Sequence, residues 1–382
     1  MKKKPFADLE LSLLGMGNMR LSVRADGKID REKAQAIIDL AYKSGINYFD
    51  TAFRYHGGES ELFIGEALKK YPRDSWCLAS KLPGHMMHVD ADGRLGFHGY
   101  LSDFHCDSIG DIFEEQLKKC QVDWFDFYLL HNLNENSYDF YTDPRVGAVE
   151  YLLKQKEAGR IRHLGFSSHG SAETIDKFLT LHPGVFEFVQ IQLNYLDWTL
   201  QDARTKYDVI VKHGLKVVVM EPMRGGKLAN LPADAEAILQ IVSPERTPAS
   251  WAFRFLQELP GVQVVLSGMT TLEQLEENIA LFSVDDPLSE AEHAALDRAV
   301  ERLLNAIPCT ACRYCTEECP QKLEIPKIIE KYNRMQNERV EWPTDDEAMD
   351  PARCIGCGVC AQVCPQGIQV PEIMRKIVEG KE

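Results

Sequence analysis

The sequence predicts an α/β protein: a (β/α)8 TIM barrel followed by a small, mainly α-helical domain rich in cysteine. Three observations carry this reading. From about residue 30 to 282, short apolar runs alternate with longer amphipathic segments, the rhythm of a parallel sheet with helical crossovers. About eight such units in roughly 270 residues is the size of a closed barrel. Beyond about residue 305 the rhythm stops, and eight of the eleven cysteines fall between Cys309 and Cys364. The domains are therefore expected at 1–304 and 305–382.

Candidate strands lie at 46–50, 76–81, 125–131, 161–167, 188–193, 216–221, 238–242 and 262–267. Seven have β-rich apolar runs; the one at 238–242 is weak and partly helical in pattern. Helical periodicity occupies 61–70, 109–119, 147–158, 172–181, 201–213, 248–258, 272–282 and 289–305. A doubly wound open sheet is the competing architecture. Against it, no G-x-G-x-x-G turn follows an early strand, as a dinucleotide-binding open sheet would normally show.

Composition sets further bounds. With 43 Lys+Arg against 58 Asp+Glu, the net charge is −15, the wrong sign for a protein that neutralises nucleic-acid phosphates. The values of 45% hydrophobic and 26% charged residues are those of a globular chain with enough apolar surface to build a core. After the basic start Lys2-Lys3-Lys4, Asp8 and Glu10 interrupt any apolar stretch, so no export signal is read; the longest charge-free stretch, Cys354 to Pro371, is too rich in cysteine, glutamine and proline for a membrane helix. A reducing cytoplasm is the expected setting, in which clustered cysteines point to metal or cluster ligation rather than disulfides.

The cysteines form a duplication. Cys309-x2-Cys312-x2-Cys315-x3-Cys319-Pro320 recurs 45 residues later as Cys354-x2-Cys357-x2-Cys360-x3-Cys364-Pro365, and nine of 24 aligned positions are identical. That extent of match makes one duplicated unit, not two chance clusters. Pro326 and Pro371 stand where a helix could begin, so each unit reads as a cysteine loop followed by a helix. The acidic link 341–350 reads as an exposed connector. The spacing resembles the bacterial ferredoxin run that ligates [4Fe-4S] clusters, in which the fourth cysteine serves the other cluster. The resemblance implies one cluster on Cys309, Cys312, Cys315 and Cys364, and another on Cys354, Cys357, Cys360 and Cys319. Gly356 and Gly358 would let backbone N–H groups approach the sulfurs. A structural zinc site, the competing reading, prefers two C-x2-C pairs set well apart.

In the barrel region, the strand at 46–50 leads from Asp50 to Tyr55, the next ends at Lys81, and the third ends at His131. Strand carboxyl ends converge on one face of a barrel, so these four side chains are expected to meet. A tyrosine near a lysine ammonium is a better proton donor to a developing alkoxide. Asp50 would keep Lys81 charged, and His131 would orient a carbonyl. Any one of these residues alone would read as an ordinary rim residue or ion pair. Four suitable types at the ends of three successive strands read as chemistry.

On these residues, together with Leu14-Gly15-Met16-Gly17-Asn18, Gly165-Phe166-Ser167-Ser168 and Gln190, residues 10–300 resemble the aldo/keto reductases. The whole chain is similar to members in which that barrel is fused to a ferredoxin-type tail. The resemblance implies that Asp50, Tyr55, Lys81 and His131 form a catalytic tetrad and that NADPH or NADH lies across the barrel mouth. Gly17, Asn18 and Met19 would line that mouth, and Ser167, Ser168 and Gln190 would hold the nicotinamide carboxamide. Pro222, Gly225, Gly226, Lys227 and Leu228 would form the pyrophosphate loop. Gly268, Gln274, Glu277 and Asn278 would hold the adenosine end. Two positions depart from the family pattern. Met220 stands where many members stack an aromatic on the nicotinamide. Gln274 stands where they grip the 2′-phosphate of NADPH with an arginine, and a neutral amide cannot supply that charge-assisted contact. Arg224 and Lys227 are the candidates to compensate, and NADH is as open as NADPH.

Between Lys81 and the next helix, residues 82–108 hold His85, His88, His98 and His105. Loops of this length are usually functional; a mobile polar lid is expected, since the histidine spacing fits no standard metal-ligand pattern. The function read from the sequence is an NAD(P)H-dependent oxidoreductase interconverting a small carbonyl and an alcohol, with two clusters for electron transfer. A hydride carries two electrons and a cluster one, so a flavin or a redox partner protein is the broker to look for. The alternative is an iron–sulfur electron-carrier or assembly module whose barrel has lost efficient nicotinamide turnover.

Overall fold

A computed structural model describes residues 1–98, 105–304, 307–335 and 346–380. The chain packs into two units, Met1–Pro222 with Ser250–Leu288, and Met223–Ala249 with Ser289–Glu382. By packing, then, the segment 223–249 and the helix Glu290–Leu303 group with the cysteine repeat. Among the described residues no helix is long and apolar enough to cross a membrane.

The first unit is a closed barrel of eight parallel strands: β1 (Leu14–Gly17), β2 (Tyr48–Asp50), β3 (Cys77–Leu82), β4 (Phe125–Leu133), β5 (Ile161–Ser168), β6 (Phe188–Gln192), β7 (Lys216–Met220) and β8 (Val262–Ser267), with β8 pairing back onto β1. Seven of these occupy the expected segments. The eighth expected strand is corrected: 238–242 belongs to the helix Ala233–Val242, with Ala235 and Leu239 on its buried face and Ile241 exposed. The missing strand is β1. Its four residues include Gly15 and Gly17, too short and too glycine-rich to show alternation. Gly15 is required there by packing, because a Cβ would sit 2.7 Å from the Val264 side chain and 2.8 Å from that of Leu266.

An antiparallel hairpin, Lys3–Phe6 with Leu9–Ser12, precedes the barrel. Its Phe6 and Leu11 join Tyr48, Phe127, Leu129, Phe188, Val218 and Val264 in one apolar cluster. Lys4 Nζ donates to the Val262 carbonyl at 2.6 Å, at the start of β8. The hairpin thus plugs the amino end of the strands and leaves the carboxyl end for chemistry. The helix Arg31–Lys43, which the periodicity reading passed over, is capped by Asp30 and buries Ala34, Ile37, Ile38 and Ala41, the spacing of a one-sided helix.

The segment after β3, expected as a mobile polar lid, is ordered and largely apolar on its inner side over its described part. It folds as a short antiparallel sheet, Met87–Val89, Leu95–Phe97 and His105–Cys106, and buries Met86, Met87, Leu95, Phe97 and Cys106. Residues 99–104 of that expected lid lie outside the described residues, as does 341–345 of the expected connector.

In the second unit the duplication is visible in the backbone. Short helices Tyr314–Glu317 and Val359–Gln362 and longer ones Ile325–Met335 and Val370–Glu379 occupy equivalent places. Ala311, Arg313 and Lys322 have positive φ, and so do their counterparts Gly356, Gly358 and Gly367. Left-handed backbone costs a residue with a Cβ roughly 1–2 kcal/mol. Its retention at three non-glycine positions therefore shows how strongly the loop shape is constrained. Leu323, Ile325, Ile328, Ile329, Ile368, Val370, Met374 and Ile377 form the core between the repeats.

Candidate active site and cysteine-lined cavities

Lys81, the penultimate residue of β3, is fully buried. Its Nζ donates to Asp50 Oδ1 at 2.6 Å and to the Thr51 carbonyl at 2.7 Å. Burial pushes the Lys81 ammonium down and the Asp50 carboxyl up from their ordinary values, and their mutual attraction opposes both shifts. Lys81 Nζ lies 5.0 Å from the centre of the Tyr55 ring, and the Tyr55 and His131 rings meet edge to face at 6.2 Å. The structure therefore brings the four residues read from three strand ends to one place. Tyr55 opens a tight turn in which His56, Gly57 and Gly58 all have positive φ, a geometry that sets the tyrosine off the end of β2.

His85 was read only as part of a lid, and Glu61, Gln116 and Tyr141 escaped the sequence reading. His85 stands edge to face with His131 at 4.5 Å. Burial lowers the pKa of both rings, of His85 to about 3, so both are neutral at ordinary pH. The Tyr141 hydroxyl donates to the carbonyls of His131 at 2.6 Å and Leu82 at 3.1 Å, tying β4 to the residue after Lys81. Behind Lys81, Glu61 Oε1 accepts from Ser80 Oγ at 2.7 Å and Gln116 Nε2 at 2.6 Å, and Gln116 also donates to the Lys81 carbonyl at 3.1 Å. Glu61 shares the buried face of Ile64 and Leu68 in its helix; a carboxylate on an apolar stripe was the available signal.

Ser167 and Gln190 are register neighbours on β5 and β6. Ser167 Oγ accepts from the Asn132 N–H at 2.8 Å, while Ser168 Oγ donates to the Leu133 carbonyl at 2.7 Å. Gln190 Nε2 reaches Met220 Sδ at 3.7 Å, and Asn18 Nδ2 donates to the Asp50 carbonyl at 2.9 Å. Gln190 Oε1, Asn18 Oδ1, Asp50 Oδ2 and His131 Nδ1 are buried without a partner among the described residues. An unpartnered buried polar atom costs about 1–3 kcal/mol, so their presence on these particular residues fits a polar ligand. At the segment expected to hold adenosine, Asn278 Nδ2 donates to Ser267 Oγ at 3.1 Å. Exposed Gln274 accepts from the N–H groups of Thr270 at 2.8 Å and Thr271 at 3.3 Å as part of a capping box. Its carbonyl oxygen is therefore engaged by its own helix start.

The eight repeat cysteines sort into two cavities. One is lined by Cys309, Cys312, Cys315 and Cys364; the other by Cys319, Cys354, Cys357 and Cys360. Each cavity thus takes three thiols from one repeat and the fourth from the other. The Ala311 N–H donates to Cys309 Sγ at 3.4 Å, as the loop glycines of the second repeat were expected to allow. Burial, reinforced by neighbouring thiolates, raises Cys315 to about 12 and Cys360 to about 11. Four crowded thiols resist ionising together unless positive charge is supplied, which iron would do. Among the described residues no three His, Cys, Asp or Glu side chains converge as a single metal ion requires. The thiols surround a space instead.

Arg224 cannot compensate at a 2′-phosphate in the way the sequence suggested. Only 1% exposed, it donates from Nη1 to the Pro308 carbonyl at 2.8 Å and from Nη2 to Gln366 Oε1 at 2.9 Å. It thereby joins the residue before Cys309 to one just after Cys364. Lys227 is half-buried; desolvation lowers its pKa, and the Cys309 thiolate opposes that shift.

A closed eight-stranded barrel followed by twin cysteine-lined cavities is the build of an oxidoreductase joined to an iron–sulfur domain. The chain belongs to the aldo/keto reductase family: that family's model matches residues 13–301, and a 4Fe-4S dicluster domain matches residues 308–368. The chain is 27% identical to oxidoreductase YqkF of Bacillus subtilis (strain 168), over 73% of this chain and 89% of that one. It is 25% identical to an NADH-specific methylglyoxal reductase of Escherichia coli (strain K12), over 79% and 99%. Among solved structures, the aldo-keto reductase AKR11C1 from Bacillus halodurans in its holo form aligns with TM-score 0.61 and 26% identity, over 78% of this chain and 96% of that one. An aldo/keto reductase from Klebsiella pneumoniae in complex with NADP and acetate shares the fold at TM-score 0.57 and 22% identity, over 76% and 91%.

Proposed function

We propose that this oxidoreductase interconverts a small carbonyl compound and its alcohol using a nicotinamide dinucleotide, with NADH preferred, and that its tail holds two [4Fe-4S] clusters for one-electron transfer. The observation that carries the catalytic half is the convergence of Lys81, Asp50, Tyr55 and His131 at the carboxyl ends of β2, β3 and β4. A nicotinamide, when bound, would supply or accept the hydride. Tyr55 delivers the proton to the carbonyl oxygen as negative charge develops there, and the Lys81 cation beside its ring favours that transfer. Asp50 holds Lys81 in place and balances its charge where both are buried. Neutral His131 donates a hydrogen bond that orients the carbonyl. Gln190 and Asn18, each with a buried oxygen awaiting a donor, would meet the carboxamide and its surroundings.

NADH preference is supported by Gln274, a neutral side chain engaged at its own helix start, and by similarity to a relative named as NADH-specific. The twin cavities support one cluster on Cys309, Cys312, Cys315 and Cys364 and another on Cys354, Cys357, Cys360 and Cys319. Electron exchange between hydride chemistry and clusters then needs a flavin or a redox partner protein. The test is an anaerobic screen of small aldehydes, ketones and alcohols with NADH and NADPH, run beside Tyr55→Phe. Turnover that Tyr55→Phe leaves untouched would remove the proton-donor role. No turnover with either nucleotide would favour an electron-carrier or assembly module instead.

A further inference from the structure

The cysteine-lined cavities are alike in ligands but not in charge. The wall of the second consists of Cys319, Cys354, Cys357 and Cys360 with apolar and neutral residues. The first contains Gln366 in its wall, and Gln366 Oε1 accepts from the buried Arg224 guanidinium. The same guanidinium holds the Pro308 carbonyl, next to the ligand Cys309. Lys227, three residues on, lies within electrostatic reach of the Cys309 thiolate. The turn that delivers both cations is forced: Arg224, Gly225 and Gly226 have φ of 49°, 68° and 93°. Three consecutive left-handed residues, one of them an arginine, persist only where surrounding contacts over-determine them. All of these residues belong to the same packed unit.

We propose that the Arg224–Lys227 loop is a cationic brace that raises the reduction potential of the cluster held by Cys309, Cys312, Cys315 and Cys364, leaving the other cluster untouched. Taking up one electron makes a four-thiolate cluster one unit more negative, with no bond made or broken. A nearby fixed cation favours that reduced form, and net charge, hydrogen bonding and exposure are the levers by which a protein sets such potentials. Arg313, also in the first wall, contributes less, because its guanidinium is paired with Glu324 through two 2.9 Å hydrogen bonds. Lys227 faces two anions, and the Cys309 thiolate acts on it more strongly than the Glu330 carboxylate.

The inference rests on the two-cluster reading, which iron and sulfide analysis of the wild-type protein tests separately: about eight of each per chain supports it, and about four overturns both. The inference itself is tested by anaerobic redox titration of the full chain with dithionite, followed by electron paramagnetic resonance. Lys227→Gln is expected to move one of two transitions to lower potential. At the wild-type midpoint its reduced-to-oxidised ratio should fall by about tenfold, equivalent to about 59 mV for one electron, while the other transition stays. Lys227→Arg should hold the wild-type value, and Lys43→Gln on the barrel unit controls for net charge. Two unmoved transitions, equal movement of both, or an arginine variant that shifts like the glutamine variant would each overturn the proposal.

Discussion

Replacing Lys81 by Met keeps much of the side-chain length while removing the charge at the centre of the candidate active site. The wild-type ammonium is fully buried and the Asp50 side chain is 3% exposed. The variant therefore leaves a carboxylate with no cation and a Thr51 carbonyl with no donor. Removing one partner of a buried ion pair costs about 3–5 kcal/mol. Part of that cost is avoidable, because the orphaned Asp50 carboxyl can bind a proton. Burial already raises its pKa, and loss of Lys81 removes the strongest opposing influence. A folded-state pKa above that of the unfolded chain, about 3.9 for Asp, gives a stabilising contribution that is full below the unfolded value and lost as pH rises through the folded one. The deficit of Lys81→Met against wild type should thus be largest near neutrality and shrink on acidification. Asp50→Asn combined with Lys81→Met should recover much of it. Urea unfolding read by tryptophan fluorescence is suited to this, since Trp76, Trp124, Trp198 and Trp251 all lie in the barrel unit. A deficit under about 1 kcal/mol, the scale of an exposed pair, or one that is flat with pH, would refute the buried pair.

Tyr55→Phe should lower kcat for carbonyl reduction by about 10²–10⁴-fold, the usual contribution of a positioned acid, with KM little changed; steady-state kinetics checks this. Gly65→Ala should destabilise the barrel by about 1–3 kcal/mol, because its Cβ would lie 2.4 Å from the Cys120 carbonyl oxygen; urea unfolding reads the loss.

The parts of this chain legible in the sequence are those where chemistry or repetition fixes residue type and spacing. The cysteine duplication is one: a cluster can be wrapped by a short loop only at tight intervals, so the spacing from Cys309 to Cys364 announced two cysteine sites, while the exchange of Cys319 and Cys364 between them came from the resemblance to ferredoxins. Asp50, Lys81 and His131 were readable because a parallel barrel gathers strand ends. What stayed hidden depends on partners far away in sequence. β1 is a strand because Gly15 admits Val264 and Leu266, not because its own residues prefer to be extended. Residues 233–242 carry apolar residues that suit either periodicity over a short window, and the helix emerges from the burial of Ala235 and Leu239. The histidines after Lys81 suggested polarity, but Met87, Leu95 and Phe97 between them form the buried side of a small sheet. Arg224 looked like a phosphate ligand until its partners, 84 and 142 residues away, were seen.

The central claim is that the barrel uses a nicotinamide dinucleotide at the site around Lys81, Gln190 and Asn18. Direct titration of the purified protein with NADH and NADPH, followed by nicotinamide fluorescence under anaerobic conditions, tests it most directly. Saturable binding of both is expected, tighter for NADH because Gln274 offers no charge to a 2′-phosphate. Absence of binding by either nucleotide would contradict the claim.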